Sequence, residues 1–355
     1  MLIVEMLVLL SLQNIYATGK ESSDYYRIFR PKEFNAEKPL TGCHSNATLK
    51  KLPGALIVGV KKSGTYALLR YLSVNPQIKA ALKINNCELN EIHFFDQDVN
   101  YYKGLEWYKS KMPSVCLNAR VNGRHIKHDD VTVIEKTPGY FRSSIALERI
   151  YSYNPRTKII LIVRDPVRRI QSELTHCATR QKKLKVDQKC QNANRIFEQL
   201  FGLRLNASRL SQELEKNKFV RNSIYYLDMI KWVTTFGTQN VFVVNGENFI
   251  KTPWVELNKL EQFLNVSKLI HKRHFHFDRK KNFFCLKEPI AAVRPKASGN
   301  ASAETSNLEY DGCLGKNKGR KSHVFLSEFV KNELRKYFHE WNKLFFKLIG
   351  KNFDW

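Results

Sequence analysis

Four largely apolar runs, separated by segments with helical periodicity, constrain the fold more than any other feature of this sequence. ALIVGV begins at Ala55, TVIEK at Thr132, KIILIV at Lys158 and NVFVV at Asn240. Continuous apolar runs are typical of strands that are buried on both faces, and such strands form parallel sheets covered by helices. The sequence therefore predicts an α/β fold with a central parallel β-sheet flanked by helices on both faces.

The first run leads into GVKKSGTYALL, a short polar turn between a strand and a helix. Backbone N–H groups of such a turn, with the helix N-terminus, bind anions. A nucleotide-triphosphate P-loop has its lysine directly after the second glycine. Here Gly64 is followed by Thr65, and both lysines, Lys61 and Lys62, precede it. We predict a site for a phosphate-like group; a plain strand–helix turn is the alternative.

A second strand end, RDPVRRIQSEL, repeats this arrangement. Arg164 lies at the carboxyl end of the strand, and Ser172 lies about two turns into the following helix, which Pro166 suits as a first residue. Arg-Asp-Pro is also common as a surface ion pair at a helix start. Taken with the first loop, the pattern predicts a nucleotide with two separate phosphate groups at neighbouring strand ends.

Acidic and imidazole side chains cluster in NEIHFFDQD, where Glu91, His93 and Asp96 flank two phenylalanines. In an extended segment Glu91 and His93 point to the same face. A carboxylate there can act as a general base oriented by the histidine. Lys136 follows a buried strand and would meet either a phosphate or an acidic acceptor. A polar strand edge is the alternative interpretation of this cluster.

The charge balance predicts an anionic partner, because 59 Lys and Arg face 33 Asp and Glu, for a formal charge of +26. The apolar start of the chain suits a signal peptide or short signal-anchor at 1–19, although Glu5 interrupts it. A polar stem follows at 20–51, and a catalytic domain is predicted at 52–355. Seven cysteines also favour the secretory pathway, and hence a Golgi-luminal or secreted protein. In that compartment an acidic glycan is the expected partner, and nucleic acid is not.

Four Asn-X-Ser/Thr sequons predict N-glycosylation, at Asn46, Asn206, Asn265 and Asn300. Cys285 and Cys313 flank a polar insert, after which the chain reads GKNKGRKSH. A disulfide between them would hold a basic segment in place. A solvated run of charges is the alternative.

In their order along the chain, these segments resemble the heparan sulfate glucosamine 3-O-sulfotransferase family. The resemblance extends from Leu52 to Trp355 and includes LPGALIVGVKKSGTYALL, NEIHFFD, GLEWYKSKMP, EKTPGYF, RIYSYNP, RDPVRRIQSE, FFCL, CLGKNKGRKSH and YFHEWNKLFFKLIGKNFDW. It implies a P-loop-like sulfotransferase fold that uses 3′-phosphoadenosine 5′-phosphosulfate (PAPS) as donor, without a metal, and heparan sulfate as acceptor. A monomer without membrane contact beyond the N-terminal segment is expected.

The resemblance also implies roles for individual residues. Nucleotide contacts are implied for Lys61, Lys62, Ser63, Gly64, Thr65, Tyr66, Arg164, Ser172, Phe284, Lys318, Gly319 and Arg320. Among them, Lys62 would stabilise the leaving phosphate, while Arg164 and Ser172 would hold the 3′-phosphate. Glu91 would be the catalytic base, supported by His93. Asp96 and Lys136 would position the acceptor.

The sequence departs from the family pattern at several points. Tyr66 stands where arginine is usual, and Phe284 stands where tyrosine or tryptophan is frequent. The insert at 177–190 is unlike the family versions; its two cysteines would pair, and Cys87 with Cys116 would form a further disulfide.

Two alternatives stay open: an N-sulfotransferase, which carries glutamine in place of His93, and a heparin-binding module without catalysis.

Overall fold

The computed structural model describes residues 48–81, 91–116, 118–121, 124–184, 190–203, 205–279, 281–287 and 323–355. The predicted signal segment and most of the stem lie outside these residues. Among the described helices, none is both long enough and apolar enough to cross a lipid bilayer.

The strands are short, and five of them form one sheet. In chain order they are β1 Thr48–Lys50, β2 Ala55–Gly59, β3 Ile78–Ala80, β4 Ser114–Cys116, β5 Asn118–Val121, β6 Arg124–Lys127, β7 Thr132–Lys136, β8 Lys158–Val163, β9 Val241–Asn245, β10 Phe275–Asp278 and β11 Phe283–Leu286. The central sheet has the order β3-β7-β2-β8-β9. All of its neighbouring strands are parallel. The other described strands pair antiparallel, as β1 with β4, β5 with β6, and β10 with β11.

The helices connect and cover these strands. They are α1 Thr65–Leu72, α2 Asp98–Tyr101, α3 Gly104–Ser110, α4 Ser144–Tyr153, α5 Pro166–Leu184, α6 Ala193–Gly202, α7 Ala207–Lys216, α8 Lys218–Arg221, α9 Tyr225–Phe236, α10 Gly246–Lys251, α11 Pro253–Phe263 and α12 Glu328–Ile349. Several begin where the sequence supplies a cap. The Ser143 hydroxyl accepts from Ala146 N–H at the start of α4, and the Ser327 hydroxyl accepts from Val330 N–H at the start of α12.

The core lies on the faces of the sheet because its strands carry apolar side chains on both sides. Every residue of β2 is buried, as are the last five residues of β8. Helices α1 and α11 pack their apolar residues on the same cluster, which includes Leu68, Leu72, Leu257 and Leu260. Burial on both faces makes the alternation of polar and apolar residues unnecessary in these strands.

The predicted α/β fold with a parallel sheet is confirmed, and the four predicted strands are β2, β7, β8 and β9. The fifth strand, β3, was not predicted because it has three residues and carries a lysine at its centre. The polar stretch after Cys177 is largely helical: α5 continues to Leu184, and α6 and α7 follow. Cys177 and Cys190 form the predicted disulfide, which joins α5 to the start of this region.

Cys285, in β11, is disulfide-bonded. Its predicted partner Cys313, together with Cys43 and Cys87, lies outside the described residues, and the side chain of Cys116 is not among those described. The pairing of Cys285 with Cys313 therefore stays a prediction.

Candidate active site

Four strands of the sheet end next to one another, and the candidate site residues follow these ends. The KKSG turn follows β2, Lys136 ends β7, Arg164 follows β8, and Glu247 follows β9. We call this side of the sheet the carboxyl edge. Open α/β sheets bind ligands outside the carboxyl ends of their strands. The topology therefore brings together residues that are far apart in the sequence.

The turn after β2 has the backbone form of an anion-binding nest. Lys62 and Gly64 have positive φ angles of 74° and 107°, and Ser63 lies between them. Ser63 N–H donates to the Val60 carbonyl at 3.0 Å, which closes the turn, and α1 begins at Thr65. Turns with such positive φ angles, placed directly before a helix, direct backbone N–H groups toward an anion. The protein interior also stabilises the turn, since the buried Arg169 guanidinium donates to the Lys61 carbonyl at 3.3 Å.

Arg164 lies at the carboxyl edge, beside the turn that follows β9. Its Nε donates to the Glu247 carboxylate at 3.1 Å, and Arg168 donates to the other oxygen of Glu247, also at 3.1 Å. Gly246 permits this close approach, because a Cβ atom there would lie 2.4 Å from the Val163 carbonyl oxygen and 2.7 Å from Cγ of Arg164. Ser172 lies in α5, as its spacing predicted, and its side chain is half-buried.

The chain that follows the predicted Lys-Gly-Arg contact is fixed to α5 on both sides of Ser172. Gln171 donates its side-chain amide to the Val324 carbonyl at 3.0 Å, and Val324 N–H donates to the Thr175 hydroxyl at 2.9 Å. Lys318, Gly319 and Arg320 themselves lie outside the described residues.

Tyr66 and Phe284 occupy aromatic and apolar surroundings. Tyr66 is half-buried and packs against the core cluster that covers the sheet. Phe284, in β11, lies 5.1 Å from Trp254 and 5.2 Å from Phe277 between ring centroids. Its carbonyl accepts from the hydroxyl of Tyr71 on α1. The hairpin of β10 and β11 is thereby attached to the helix that begins at the anion-binding turn.

The acidic cluster is assembled as an ion-pair chain. Lys136 Nζ lies 2.9 Å from one oxygen of Glu91, and His93 Nε2 lies 3.5 Å from the other. The opposite ring nitrogen of His93 lies 2.9 Å from Asp96. Lys136 is buried, whereas the Glu91 side chain is 40% exposed. The carboxylate therefore contacts a buried cation and remains accessible to solvent.

The extended geometry expected for this segment is wrong, although the predicted contact is present. Residues 91–93 form no strand, a turn follows, and His93 has a positive φ of 53°. The turn curls His93 back so that its ring lies between Glu91 and Asp96. Gly139 leaves the space for this, since a Cβ there would lie 2.8 Å from an Asp96 oxygen and 3.3 Å from Cε1 of His93.

Known proteins match the chain over nearly its whole length. A family model described as a sulfotransferase domain matches residues 52–345. Heparan sulfate glucosamine 3-O-sulfotransferase 5 of Mus musculus is 32% identical over 312 residues, which are 88% of this chain and 76% of that protein. Heparan sulfate glucosamine 3-O-sulfotransferase 3B1 of Homo sapiens is 30% identical over 344 residues, which are 96% of this chain and 75% of that protein.

This chain belongs to the heparan sulfate glucosamine 3-O-sulfotransferase family. A solved structure agrees at the level of the fold: the crystal structure of a sulfotransferase from Alicyclobacillus acidocaldarius has a TM-score of 0.52 and 20% identity, and the match covers 85% of this chain and 98% of that one.

In this 3-O-sulfotransferase family member, the turn after β2 has a buried hydroxyl that is available to an anionic group such as the phosphosulfate of PAPS. Ser63 is 2% exposed, and its hydroxyl has no hydrogen-bond partner among the described residues. Buried hydroxyls are nearly always hydrogen-bonded. A hydroxyl left open beside a backbone nest suits an anionic oxygen, so the turn could hold this group with Ser63 and its N–H groups.

The electrostatics of the acidic cluster keep Glu91 ionised. Burial by itself would raise the pKa of Glu91, but the hydrogen bond from His93 and the charge of Lys136 outweigh it and lower the pKa to about 2. Hydrogen bonds to Asp96 and Glu91 raise the pKa of His93 to about 9. At neutral pH Glu91 is therefore ionised and His93 is protonated.

Sequence reasoning missed the residues that hold the cluster from below. Glu135, Thr137 and Tyr140 are fully buried and lie around Lys136 in EKTPGY. The signal was present, because an acidic residue in the middle of a buried strand needs partners. Arg169, also fully buried, was missed because its neighbour Arg168 makes the pair look like a surface charge run.

Proposed function

We propose that this protein transfers the sulfuryl group of PAPS to the 3-hydroxyl of glucosamine residues in heparan sulfate. The observation that carries the proposal is the contact of Glu91 with both Lys136 and His93 at the carboxyl edge that also carries the anion-binding turn. An accessible, ionised carboxylate beside a phosphosulfate site is the arrangement that deprotonation of an attacking hydroxyl needs. The family membership supports the same donor and acceptor.

The proposed step forms one bond and breaks one. The glucosamine oxygen attacks sulfur, its proton passes to Glu91, and 3′-phosphoadenosine 5′-phosphate leaves with the electrons of the sulfur–oxygen bond. A carboxyl of low pKa is a weak base, so the proton moves as the new bond makes the hydroxyl acidic. Lys62 stabilises the charge that builds on the leaving phosphate, and fixed cations are effective there because they need no reorganisation.

Other chain residues bind and orient the two substrates. In this proposal Lys61, Ser63, Gly64, Thr65 and Tyr66 form the wall around the phosphosulfate. Arg164 and Ser172 hold the 3′-phosphate, Phe284 contacts the nucleotide, and Lys318, Gly319 and Arg320 bind over it. Asp96 and Lys136 position the acceptor and support the base. A metal ion is not part of this proposal.

We also propose that the protein works in the Golgi lumen or after secretion and carries N-glycans. Asn206 and Asn265 are exposed, the first at the start of α7 and the second in a turn after α11 with φ of 55°. The Asn206 side-chain oxygen caps Arg209 N–H at 2.9 Å, and a glycan on its nitrogen leaves that bond intact. Asn46 and Asn300 lie outside the described residues.

The decisive experiment gives the purified full-length protein sulfur-labelled PAPS and heparan sulfate, then cuts the product to disaccharides to locate the label. Label on the 3-hydroxyl of glucosamine is expected. Label on the amino group would instead identify an N-sulfotransferase. Retained heparin binding with no label would identify a binding module without catalysis. Either of these results would overturn the proposal.

A further inference from the structure

The segment that carries Glu91 is held by hydroxyl groups and not by a strand. We call residues 91–95 the base segment. The N–H groups of Ile92 and His93 both donate to the Thr137 hydroxyl oxygen, at 3.1 and 3.4 Å. His93 has a left-handed backbone, a conformation that is uncommon among residues other than glycine. Such a conformation persists where surrounding contacts fix it.

A second hydroxyl continues the support of the base segment. The N–H groups of Phe94 and Phe95 donate to the Tyr140 hydroxyl, at 3.0 and 3.5 Å. On the opposite side, the Asn100 side-chain amide donates to the carbonyls of Ile92 and His93, at 3.1 and 3.3 Å. Four successive backbone N–H groups thus depend on two hydroxyl oxygens from the segment after β7.

Glu135 lies beneath these hydroxyls and is fully buried. The Thr137 hydroxyl donates to one oxygen of Glu135, and the Tyr108 hydroxyl donates to the other at 3.4 Å. Tyr140 is a further hydrogen-bonding neighbour of this carboxyl group. We call Glu135, Thr137, Tyr140 and Tyr108 the Glu135 network.

The hydrogen-bond count in this network requires an acceptor at position 135. A threonine hydroxyl has one proton and two lone pairs. When its proton points to Glu135, both lone pairs face the N–H groups of Ile92 and His93. A carboxylate accepts only, so it cannot compete by donating a proton to Thr137. If a hydrogen-bond donor replaced one carboxylate oxygen, the hydroxyl that faces it could no longer donate to that position. The proton of that hydroxyl would then have to point elsewhere.

We propose that Glu135 and Thr137 are positioning residues for the reaction: the Glu135 carboxylate fixes the direction of the Thr137 hydroxyl, and Thr137 fixes the base segment so that Glu91 faces the acceptor. This inference rests on the proposed function and deepens it, since it extends the catalytic machinery to buried residues that do not touch either substrate. Lys136, between them in the chain, contacts Glu91 from the same strand end.

The network also makes the direction of the hydroxyl depend on pH. Burial raises the pKa of Glu135 to about 7, against the opposing effects of the Thr137 hydrogen bond and the Lys136 charge. The other titratable groups that face it are Tyr108 and Tyr140, and burial raises the pKa of both hydroxyls well above their usual value. They stay neutral near pH 7, so Glu135 is the group in the network that changes charge there.

The first test replaces Thr137 by valine, which keeps the shape and removes the hydroxyl, with Thr137→Ser as the matched control. We expect kcat of Thr137→Val to fall by about 10- to 100-fold, because a small displacement of a catalytic group costs up to roughly 100-fold in rate. We expect Thr137→Ser to recover most of that loss. Affinity for 3′-phosphoadenosine 5′-phosphate, measured by calorimetry, should stay within about twofold, a small free-energy change.

A parallel loss of nucleotide affinity and melting temperature in Thr137→Val would show that Thr137 only holds the fold, and would overturn the inference. So would a kcat within about threefold of the unaltered enzyme, since a difference of that size is under 1 kcal/mol of activation free energy.

The second test measures kcat against pH for the unaltered enzyme and for Glu135→Gln. In the unaltered enzyme kcat should rise as Glu135 ionises near pH 7, whereas Glu91 with a pKa of about 2 is already ionised. In Glu135→Gln the rise should vanish and kcat should stay low across this range. An unchanged rise in Glu135→Gln would overturn the role of Glu135.

These outcomes are separable from failure of the proposed function. If the unaltered enzyme places no label on the glucosamine 3-hydroxyl, the proposed function fails. If the unaltered enzyme does so, and Thr137→Val does so equally fast, the proposed function stands and only the positioning role fails.

Discussion

At the scale of single residues, this site is built from charges that stabilise one another. Glu91 is accessible because it lies at the surface of the carboxyl edge, and it is ionised because Lys136 and His93 face its two oxygens. His93 in turn contacts Asp96. These contacts lower the pKa of Glu91 and raise the pKa of His93, which is the usual way in which a site fixes the charge of a working group.

The first residue-scale prediction concerns Glu91→Gln. The amide keeps the size of the side chain and cannot accept the hydroxyl proton, so we expect the rate of transfer to fall by about 100-fold or more, the usual size of general-base catalysis. The Kd of 3′-phosphoadenosine 5′-phosphate should be almost unchanged. Transfer at the unaltered rate would show that Glu91 is not the base.

The second residue-scale prediction concerns how the stability of the folded protein depends on pH. The pKa of His93 is raised from 6.5 to about 9, so the folded state holds a proton that the unfolded state releases. The stabilisation is therefore complete below about pH 6.5 and is lost as pH rises to about 9. Its size should be on the order of 1 kcal/mol, because solvent screens a partly exposed group.

Denaturant unfolding of the unaltered protein and of His93→Gln at pH 6 and pH 9.5 tests this. The difference in the free energy of unfolding between the two proteins should be larger at the lower pH. Equal differences at both pH values would mean that folding does not raise the pKa of His93.

At the scale of elements, the strand ends supply the site and glycine permits their close approach. The turn from β9 to α10 lies directly against the end of β8, where Gly246 meets the Val163 carbonyl and Arg164. The same turn presents Glu247 to Arg164 and Arg168. The position of the proposed 3′-phosphate contact thus depends on how two neighbouring strands end.

We expect Gly246→Ala to weaken binding of 3′-phosphoadenosine 5′-phosphate by about tenfold, which corresponds to about 1.4 kcal/mol. The added Cβ must displace Arg164 or the strand end that carries it. Gly202→Ala is the matched control, since a Cβ at Gly202 would meet nothing within 4 Å. Calorimetry of both variants measures the effect. Equal affinities in the two variants would show that the approach of these strand ends does not set the nucleotide site.

At the scale of the whole molecule, the excess of basic residues favours association with an acidic polymer. The formal charge of +26 spreads along the chain and attracts anionic polymers over distances beyond contact. The exposed Lys103 and Lys111 both lie over the Trp107 ring, at 4.5 and 4.9 Å from its centroid, so basic and aromatic groups share this surface. At 0.1 M ionic strength, salt screens such attraction between charges more than about 10 Å apart.

We therefore expect the KM for heparan sulfate to rise steeply with sodium chloride, by about tenfold between roughly 50 and 300 mM, as the screening length shortens. The kcat at saturating acceptor should change little, because the contacts of Glu91 are short and partly buried. Initial rates at several salt concentrations give both constants. A KM that does not change with salt would show that the net charge plays no part in acceptor binding.

The sequence by itself determined the class of fold, and it predicted most residues of the candidate site. Continuous apolar runs define β2, β7, β8 and β9 because strands buried on both faces need no polar alternation. The turn of Lys61 to Gly64, and the residues Glu91, His93, Lys136 and Arg164, were identified from local pattern and family resemblance. Such features are local in the chain, so they can be recognised without knowing what packs against them.

The tertiary structure alone decided how these residues are supported. Thr137 receives the N–H groups of Ile92 and His93 over a separation of 45 and 44 residues, and Glu135 is a buried acid whose partners include Tyr108, 27 residues away. The base segment is bent, and not extended as expected, because these contacts come from residues that are distant in the sequence. A buried polar group takes its partners from whatever the fold brings near it, and that proximity is a property of the folded chain.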